Sequence, residues 1–307
     1  MARSWLLASC AALALLAPAW ADGLSAPIAV GPIGQSSAAV RFPPQSSGGA
    51  GCPTSATFLA RTSGLSGTQI SAYQIMICGM VTDGTWSLMD GLWVFATNTT
   101  TTANLNLVST SFSLTVHGTE TFAADAGYTG DGSTGYFDTG YNTSTSGVNY
   151  TQNSASLGEC TLTSRTAQQS YNAIGNQETV NFFANLIAPL LSAGGPLEFE
   201  LTGNTYLQDT PSPFSAQGSY IETRTTSSTV ALYLNGTSAF SGSDTSGALA
   251  NANIFIGALN EGGTAGLFDA DQLAYAFIGG GLTGTQISNI YSRLHTFLVA
   301  VGAPSGC

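Results

Sequence analysis

Lysine is absent from this chain of 307 residues. Its positive charge rests on Arg3, Arg41, Arg61, Arg165, Arg224 and Arg293, against 17 acidic residues. The formal net charge of −11 excludes the basic stripe that nucleic acid or an anionic membrane surface requires. Charged residues make up only 7%, where about a quarter is usual. Polarity comes instead from Ser, Thr, Asn, Gln and Gly, a surface suited to work outside the cell at low pH, where carboxylates carry protons. Histidine is scarce too. His117 and His295 are the only two, and no G-x-S-x-G elbow accompanies them; both read as ordinary residues. No C-x-x-C pair points to zinc, and no P-loop forms without its lysine.

What is present starts with an export signal. "MARSWLLASCAALALLAPAWA" has Arg3, an apolar run from Trp5 to about Leu16, and the small-x-small site Ala19-Trp20-Ala21. Cleavage is expected after Ala21, giving a secreted, periplasmic or cell-surface protein. The apolar run is too short for a membrane span. Leu7–Cys10 has the letters of a lipoprotein box, but the apolar stretch mostly follows Cys10 instead of preceding it. Removing the signal leaves Cys52, Cys78, Cys160 and Cys307. In an oxidising compartment they allow up to two disulfides, in three connectivities, each worth roughly 2–4 kcal/mol. The alternative is that Cys78 and Cys160 are free and buried.

The full sequence is 43% hydrophobic over a length that fits one large β domain or two ordinary ones. Residues 22–57 are rich in Pro, Gly and Ser and read as a linker or arm. Residues 58–104 read as a helical lead-in. "LSGTQIS" opens a helix at Ser66 with Gln69 as capping-box partner, and the same pattern recurs at Thr283 and Gln286. Apolar spacing predicts helices within Ser66–Met89, one reaching Val81 and a short second one with Trp86 and Met89 turned inward, and another over Thr283–Val301. A strand is expected from Leu92. Between Ser109 and Ile278 the pattern is of short strands and turns, with Asn235-Gly236 as a hairpin signal. Residues 105–302 are therefore expected to form a β-sandwich of two antiparallel sheets flanked by helices, with 303–307 as a tail.

Three groups of residues are candidates for chemistry. "GYTGDGSTGYFDTGYN" (Gly127–Asn142) carries Asp131 and Asp138, with Asp125 just before. Their spacing lacks the alternation of an EF-hand loop, so a tight connection between strands is the expected role. Glu198 and Glu200 in "LEFELTG" lie two apart and share a strand face. They are the candidates for glycoside hydrolysis, although the third carboxylate is absent and an exposed acidic face explains the pair without catalysis. Tyr128, Tyr136, Tyr141 and Tyr150 cluster near the same strands and are the candidate sugar-stacking residues.

The order of these pieces resembles concanavalin A-like, LamG-type jelly rolls. "GDGSTGYFDTG" is similar to their opening strands, "VALYLNGTSAF" (Val230–Phe240) to their "LYVNG" hairpin, "NIFIGAL" to the following strand, and "DQLAYAFIGGGLTGTQISNIY" to the closing strand and helix. Prophage and phage-tail-associated proteins built on that sandwich resemble the chain more closely, through Met80–Ala96 and Tyr128–Gly140. The resemblance covers about Phe58 to Gly302. It implies a carbohydrate- or cell-surface-directed, non-catalytic binding or adhesion module. The alternatives it brings are a structural part of a phage-like particle or surface assembly, which an export signal does not suit, and a glycosidase, whose E-x-D-x-x-E strand is incomplete here. No cofactor is expected; calcium at the rim of the sandwich is the one ion the resemblance allows, with Asp131 and Asp138 as candidate ligands.

Overall fold

The computed structural model describes residues 51–166, 173–179, 182–188, 197–203, 207–209 and 215–307. The expected signal peptide, its cleavage site, Cys10 and residues 22–50 of the expected linker lie outside them. Four helices are described: α1 (Pro53–Leu59), α2 (Gly67–Thr82), α3 (Thr100–Ala103) and α4 (Gly284–Val301). The strands are β1 (Met89–Val94), β2 (Thr115–His117), β3 (Glu120–Ala123), β4 (Gly127–Gly130), β5 (Tyr136–Asn142), β6 (Ala155–Thr161), β7 (Ile174–Thr179), β8 (Phe182–Ala188) and β9 (Leu197–Leu201). They continue with β10 (Leu207–Asp209), β11 (Gly218–Arg224), β12 (Thr229–Leu234), β13 (Thr237–Ser243), β14 (Asn253–Ile256), β15 (Leu259–Glu261), β16 (Thr264–Gly266) and β17 (Gln272–Gly279).

The strands form two sheets, as the pattern predicts. One runs β13-β12-β11-β6-β17-β4-β3, with β1 also paired to β17; the other runs β10-β9-β8-β7-β14-β5-β2, with the β15–β16 hairpin attached to β7. The pairings are antiparallel except that of β15 with β7. Period-two alternation sends Leu157, Tyr220, Trp93 and Ala276 of the first sheet against Phe137, Ile174, Phe199 and Ile254 of the second. The opposite face of the first sheet, with Cys160, Ile221, Tyr275 and Phe277, packs under α2 and α4. Each fully buried Leu, Ile or Phe in these two layers contributes about 1.5–3 kcal/mol of transfer free energy. The Asn235-Gly236 turn has φ of 50° and 74°, the left-handed pair that a two-residue hairpin demands, and it joins β12 to β13.

Both capping boxes form. Ser66 Oγ accepts from Gln69 N at 3.2 Å while Ser66 N donates to Gln69 Oε1 at 2.8 Å; Thr283 and Gln286 repeat the exchange at 3.4 and 2.8 Å. The two helices meet through Tyr73 and Phe297, 4.7 Å between ring centroids, and through Arg293 Nε on Asp83 Oδ2 at 2.8 Å.

Two boundaries differ from expectation. The first long helix does end near Val81, at Thr82, and the short second helix expected after it is a single 3-10 turn; the strand expected from Leu92 starts earlier, at Met89. Gly84 turns left-handed at φ 72°, and after a 3-10 turn at Trp86–Leu88 the chain is drawn into β1 by pairing from Met89↔Gly279 to Val94↔Tyr275. The expected lead-in thus supplies a strand of the first sheet. The expected linker boundary at 57 falls inside α1, because Pro53 occupies the first helical turn, where its missing N–H costs nothing.

The cysteines are paired Cys52–Cys78 and Cys160–Cys307, so Cys78 and Cys160 are not free thiols. Two disulfides fit an oxidising compartment. None of the described helices is long and apolar enough to cross a membrane.

Arg224 joins the layers. It is fully buried; its Nε donates to the Leu201 carbonyl of β9 at 2.8 Å, its Nη1 to the Asp244 carbonyl at 2.7 Å, and its Nη2 pairs with the Asp244 carboxylate. Breaking a buried pair from one side leaves a charge in low dielectric. Arg224→Met is expected to cost about 3 kcal/mol, read as a lower urea midpoint with an unchanged m-value; a loss under ~1 kcal/mol would contradict this role.

Candidate functional site

Helices cover the outer face of the first sheet, which leaves the outer face of the second as the candidate surface. Strand β5 decides what stands there. Along "YFDTGYN" Phe137, Thr139 and Tyr141 are buried toward the sandwich interior, and Tyr136, Asp138, Gly140 and Asn142 alternate outward. β2 and β14 flank β5, with His117 paired to Tyr136 and Phe255 paired to Asp138.

These strands assemble an aromatic platform. The His117 and Tyr136 rings stack 4.6 Å apart at 7°. Phe255 lies 4.6 Å and Phe268 6.1 Å from the Tyr136 ring. Phe255 is buried beneath the others, while His117, Tyr136 and Phe268 are half-buried. The Tyr136 hydroxyl makes no hydrogen bond within the described residues. A polar strip runs beside the rings. Asp138 Oδ1 accepts from Gly140 N at 2.8 Å and from Asn253 Nδ2 at 3.0 Å. Asn142 Nδ2 donates to Asn251 Oδ1 at 2.9 Å, and Gln177 Nε2 to Glu261 Oε1 at 2.9 Å. Flat rings next to oriented amides and a carboxylate can hold a ligand that has an apolar face and hydroxyl edges.

The glycine-rich stretch that leads into β5 is built by Asp131. Its Oδ1 accepts the backbone N–H groups of Ser133, Thr134 and Gly135 at 2.9, 2.7 and 2.9 Å, and its Oδ2 accepts from Thr134 Oγ1 at 2.5 Å. Those bonds hold the Asp131 carboxyl well below the usual carboxylate range. Asp125 receives Gln69 Nε2 at 2.5 Å and ties α2 to the β3–β4 turn. The three aspartates thus serve three separate sets of protein donors. Among the described residues no group of three His, Cys, Asp or Glu is arranged to hold a metal ion.

Of the four candidate tyrosines only Tyr136 stands on the surface. Tyr128, Tyr141 and Tyr150 are buried to within 3% and cannot stack on a ligand. Tyr128 donates to Asn104 Oδ1 at 2.9 Å, and Tyr141 to Asp90 Oδ2 at 2.6 Å. The β-branched and aromatic spacing that suggested a binding row is here the inward half of the pleat. The glutamate pair is corrected as well. Glu198 and Glu200 do share one face of β9, opposite Leu197, Phe199 and Leu201, but Glu200 is fully buried and Glu198 nearly so. They are not an exposed acidic face. His295 packs on Tyr291 and against the Cys307 carbonyl oxygen, away from the other histidine's platform.

Sequence reasoning missed Phe255, Phe268, Asn253 and Glu120. Only the register of β14 on β5 places the first and third beside Tyr136; no local pattern does so. Glu120 lies against Gly135, where an added Cβ would meet its Oε1 at 2.6 Å. Burial, then the nearby Asp131 and Asp269 carboxylates, push its carboxyl up to about 8.

No family of known sequences matches this chain, and no curated protein matches it. Solved structures do. Domain 4 of AbnA, a GH43 extracellular arabinanase from Geobacillus stearothermophilus, in complex with arabinotriose, aligns at 16% identity and TM-score 0.45 over 66% of this chain and 98% of that one. The botulinum neurotoxin serotype D binding domain aligns at 14% and 0.46, over 67% and 52%. A mutant of Trypanosoma rangeli sialidase displaying trans-sialidase activity aligns at 8% and 0.51 over 69% of this chain, which spans about a third (34%) of that enzyme. At 8% identity the sialidase alignment, the one of these three with a TM-score above 0.5, reaches the architecture alone.

Proposed function

We propose that this protein is an exported, non-catalytic binding module that takes carbohydrate on the open face formed by β2, β5 and β14. The observation that carries the reading is the His117–Tyr136–Phe255 stack set beside Asp138 and Asn253. Sugars present the matching chemistry: C–H faces for the rings and hydroxyls for amide and carboxylate edges. The LamG-type order of motifs, from "GDGSTGYFDTG" to the closing helix, supports the same class of ligand, as does a surface poor in charge. The disulfides support the extracellular part of the reading.

A glycan array followed by titration calorimetry tests it. The intact protein is expected to bind a restricted set of neutral glycans. Tyr136→Ala is expected to weaken binding about tenfold, or ~1.4 kcal/mol, with the native far-UV circular dichroism spectrum retained. The absence of any glycan ligand, or full affinity in Tyr136→Ala, would sink the proposal.

A further inference from the structure

Arginine is the only cation in the described residues apart from histidine, and its partners are uneven. Arg165, Arg224 and Arg293 each pair with an aspartate. Arg61 alone among them has no carboxylate. Its Nη1 donates to the Ser109 carbonyl at 2.8 Å, and its Nη2 to the Asn106 and Leu107 carbonyls at 2.7 and 3.2 Å. Neutral carbonyls fix the guanidinium in place without cancelling its charge. Its Nε–H is shielded from water and has no acceptor among the described residues, and the group lies 5.4 Å from the centre of the Phe58 ring. In a chain of net charge −11, an immobilised cation with no counter-charge is an exception.

The same arginine lines a cleft of about 290 Å³ between α1, the 3-10 turn and the loop before β2. Trp86 forms part of the wall and is half-buried. The hydroxyls of Thr54 and Thr110, which also line it, make no hydrogen bond within the described residues. The volume is near the ~300 Å³ lower bound of small-ligand sites, room for one sugar ring. A preset positive charge, an indole side chain and hydroxyls without partners among the described residues together describe a ligand that is a ring, polar at its rim and anionic at one point.

We propose that this cleft is a second binding site, for a single carboxylate-bearing sugar of the hexuronate class, with the carboxylate at Arg61 and the ring against Trp86. The site shares no residue with the Tyr136 face and stands whether or not that face binds glycan.

The test is titration calorimetry of the full chain with methyl glucuronide and methyl glucoside. The glucuronide is expected to bind at least tenfold more tightly, and the preference to shrink as salt is raised. Arg61→Gln should lose that preference. Because Arg61 also holds the loop from Asn106 to Ser109, Thr110→Glu provides a second variant: the residue is exposed, and a carboxylate there should abolish glucuronide binding while the fold persists. Tyr136→Ala should leave it unchanged. Equal affinity for the two sugars, no glucuronide binding by the intact protein, or full binding in Thr110→Glu would each overturn the assignment.

Discussion

Stability should fall as the pH is raised from 4 to 8, the reverse of an ordinary acid-denatured domain. Four carboxyl groups dictate the sign. Glu159 and Glu222 point between the sheets, on the same strand faces as Leu157 and Tyr220, and are wholly buried. Burial raises both well above the usual range; Asp269 and Asp271 near Glu159 add to it, as does Glu200 near Glu222, while Thr161 and Arg224 oppose. Burial, then Asp271, pushes Asp269 up to about 7 despite Arg165 nearby, and Glu120 reaches about 8. Each folded-state value lies above the unfolded one. The native state therefore binds more protons than the unfolded chain between about pH 4 and 8, and the unfolding free energy declines with pH over that window. The stabilisation is complete below about pH 4 and is lost as pH passes through the folded-state values. Asp131 acts in the opposite sense below pH 4, but it is solvent-exposed and its influence is screened. Urea midpoints at pH 4, 6 and 8 check the slope. Glu222→Gln removes one ionisation and should raise stability at pH 8 by about 1–3 kcal/mol, with little change at pH 4. A midpoint that climbs from pH 4 to pH 7 would refute the argument.

Loss of the Cys160–Cys307 bond should be the most damaging covalent change. The bond spans 147 residues and fastens the segment after α4 to β6, near the middle of the first sheet. Closing so long a loop in the unfolded chain is worth about 4–5 kcal/mol in the chain-entropy account. Cys307→Ser should lower the melting temperature by about 10 °C or more in calorimetry. Cys52→Ser opens a bond spanning 26 residues and should cost less, about 3 kcal/mol. Equal effects of the two variants would show that local packing, not loop length, sets the contribution.

Much of the architecture was legible in the chain because it is written locally. The capping boxes at Ser66 and Thr283, the Asn235-Gly236 turn and the period-two strands each need only neighbours in sequence. The turn-building role of the Asp131 loop was legible for the same reason, since an aspartate before Gly-Ser-Thr-Gly can satisfy its own backbone. The platform was only half legible. Tyr136 belongs to a short-range pattern, but that pattern cannot say which side of the pleat faces solvent, so Tyr128, Tyr141 and Tyr150 were grouped with it. Phe255 and Asn253 reach Tyr136 through a strand pairing across more than a hundred residues, and Glu198 and Glu200 are buried by elements that strand periodicity does not reveal. The start of β1 was misplaced because pairing with β17, not local propensity, determines it.

That pairing bears on how the molecule is made. β1 and β17 are about 180 positions apart yet lie side by side, and α2 rests on α4 across a similar distance. Topologies ruled by such distant partners reach the native state slowly. A ribosome-bound chain holding only the first half would have no β17 to dock on, leaving apolar strands such as Leu92–Val94 exposed to aggregation until synthesis is nearly complete.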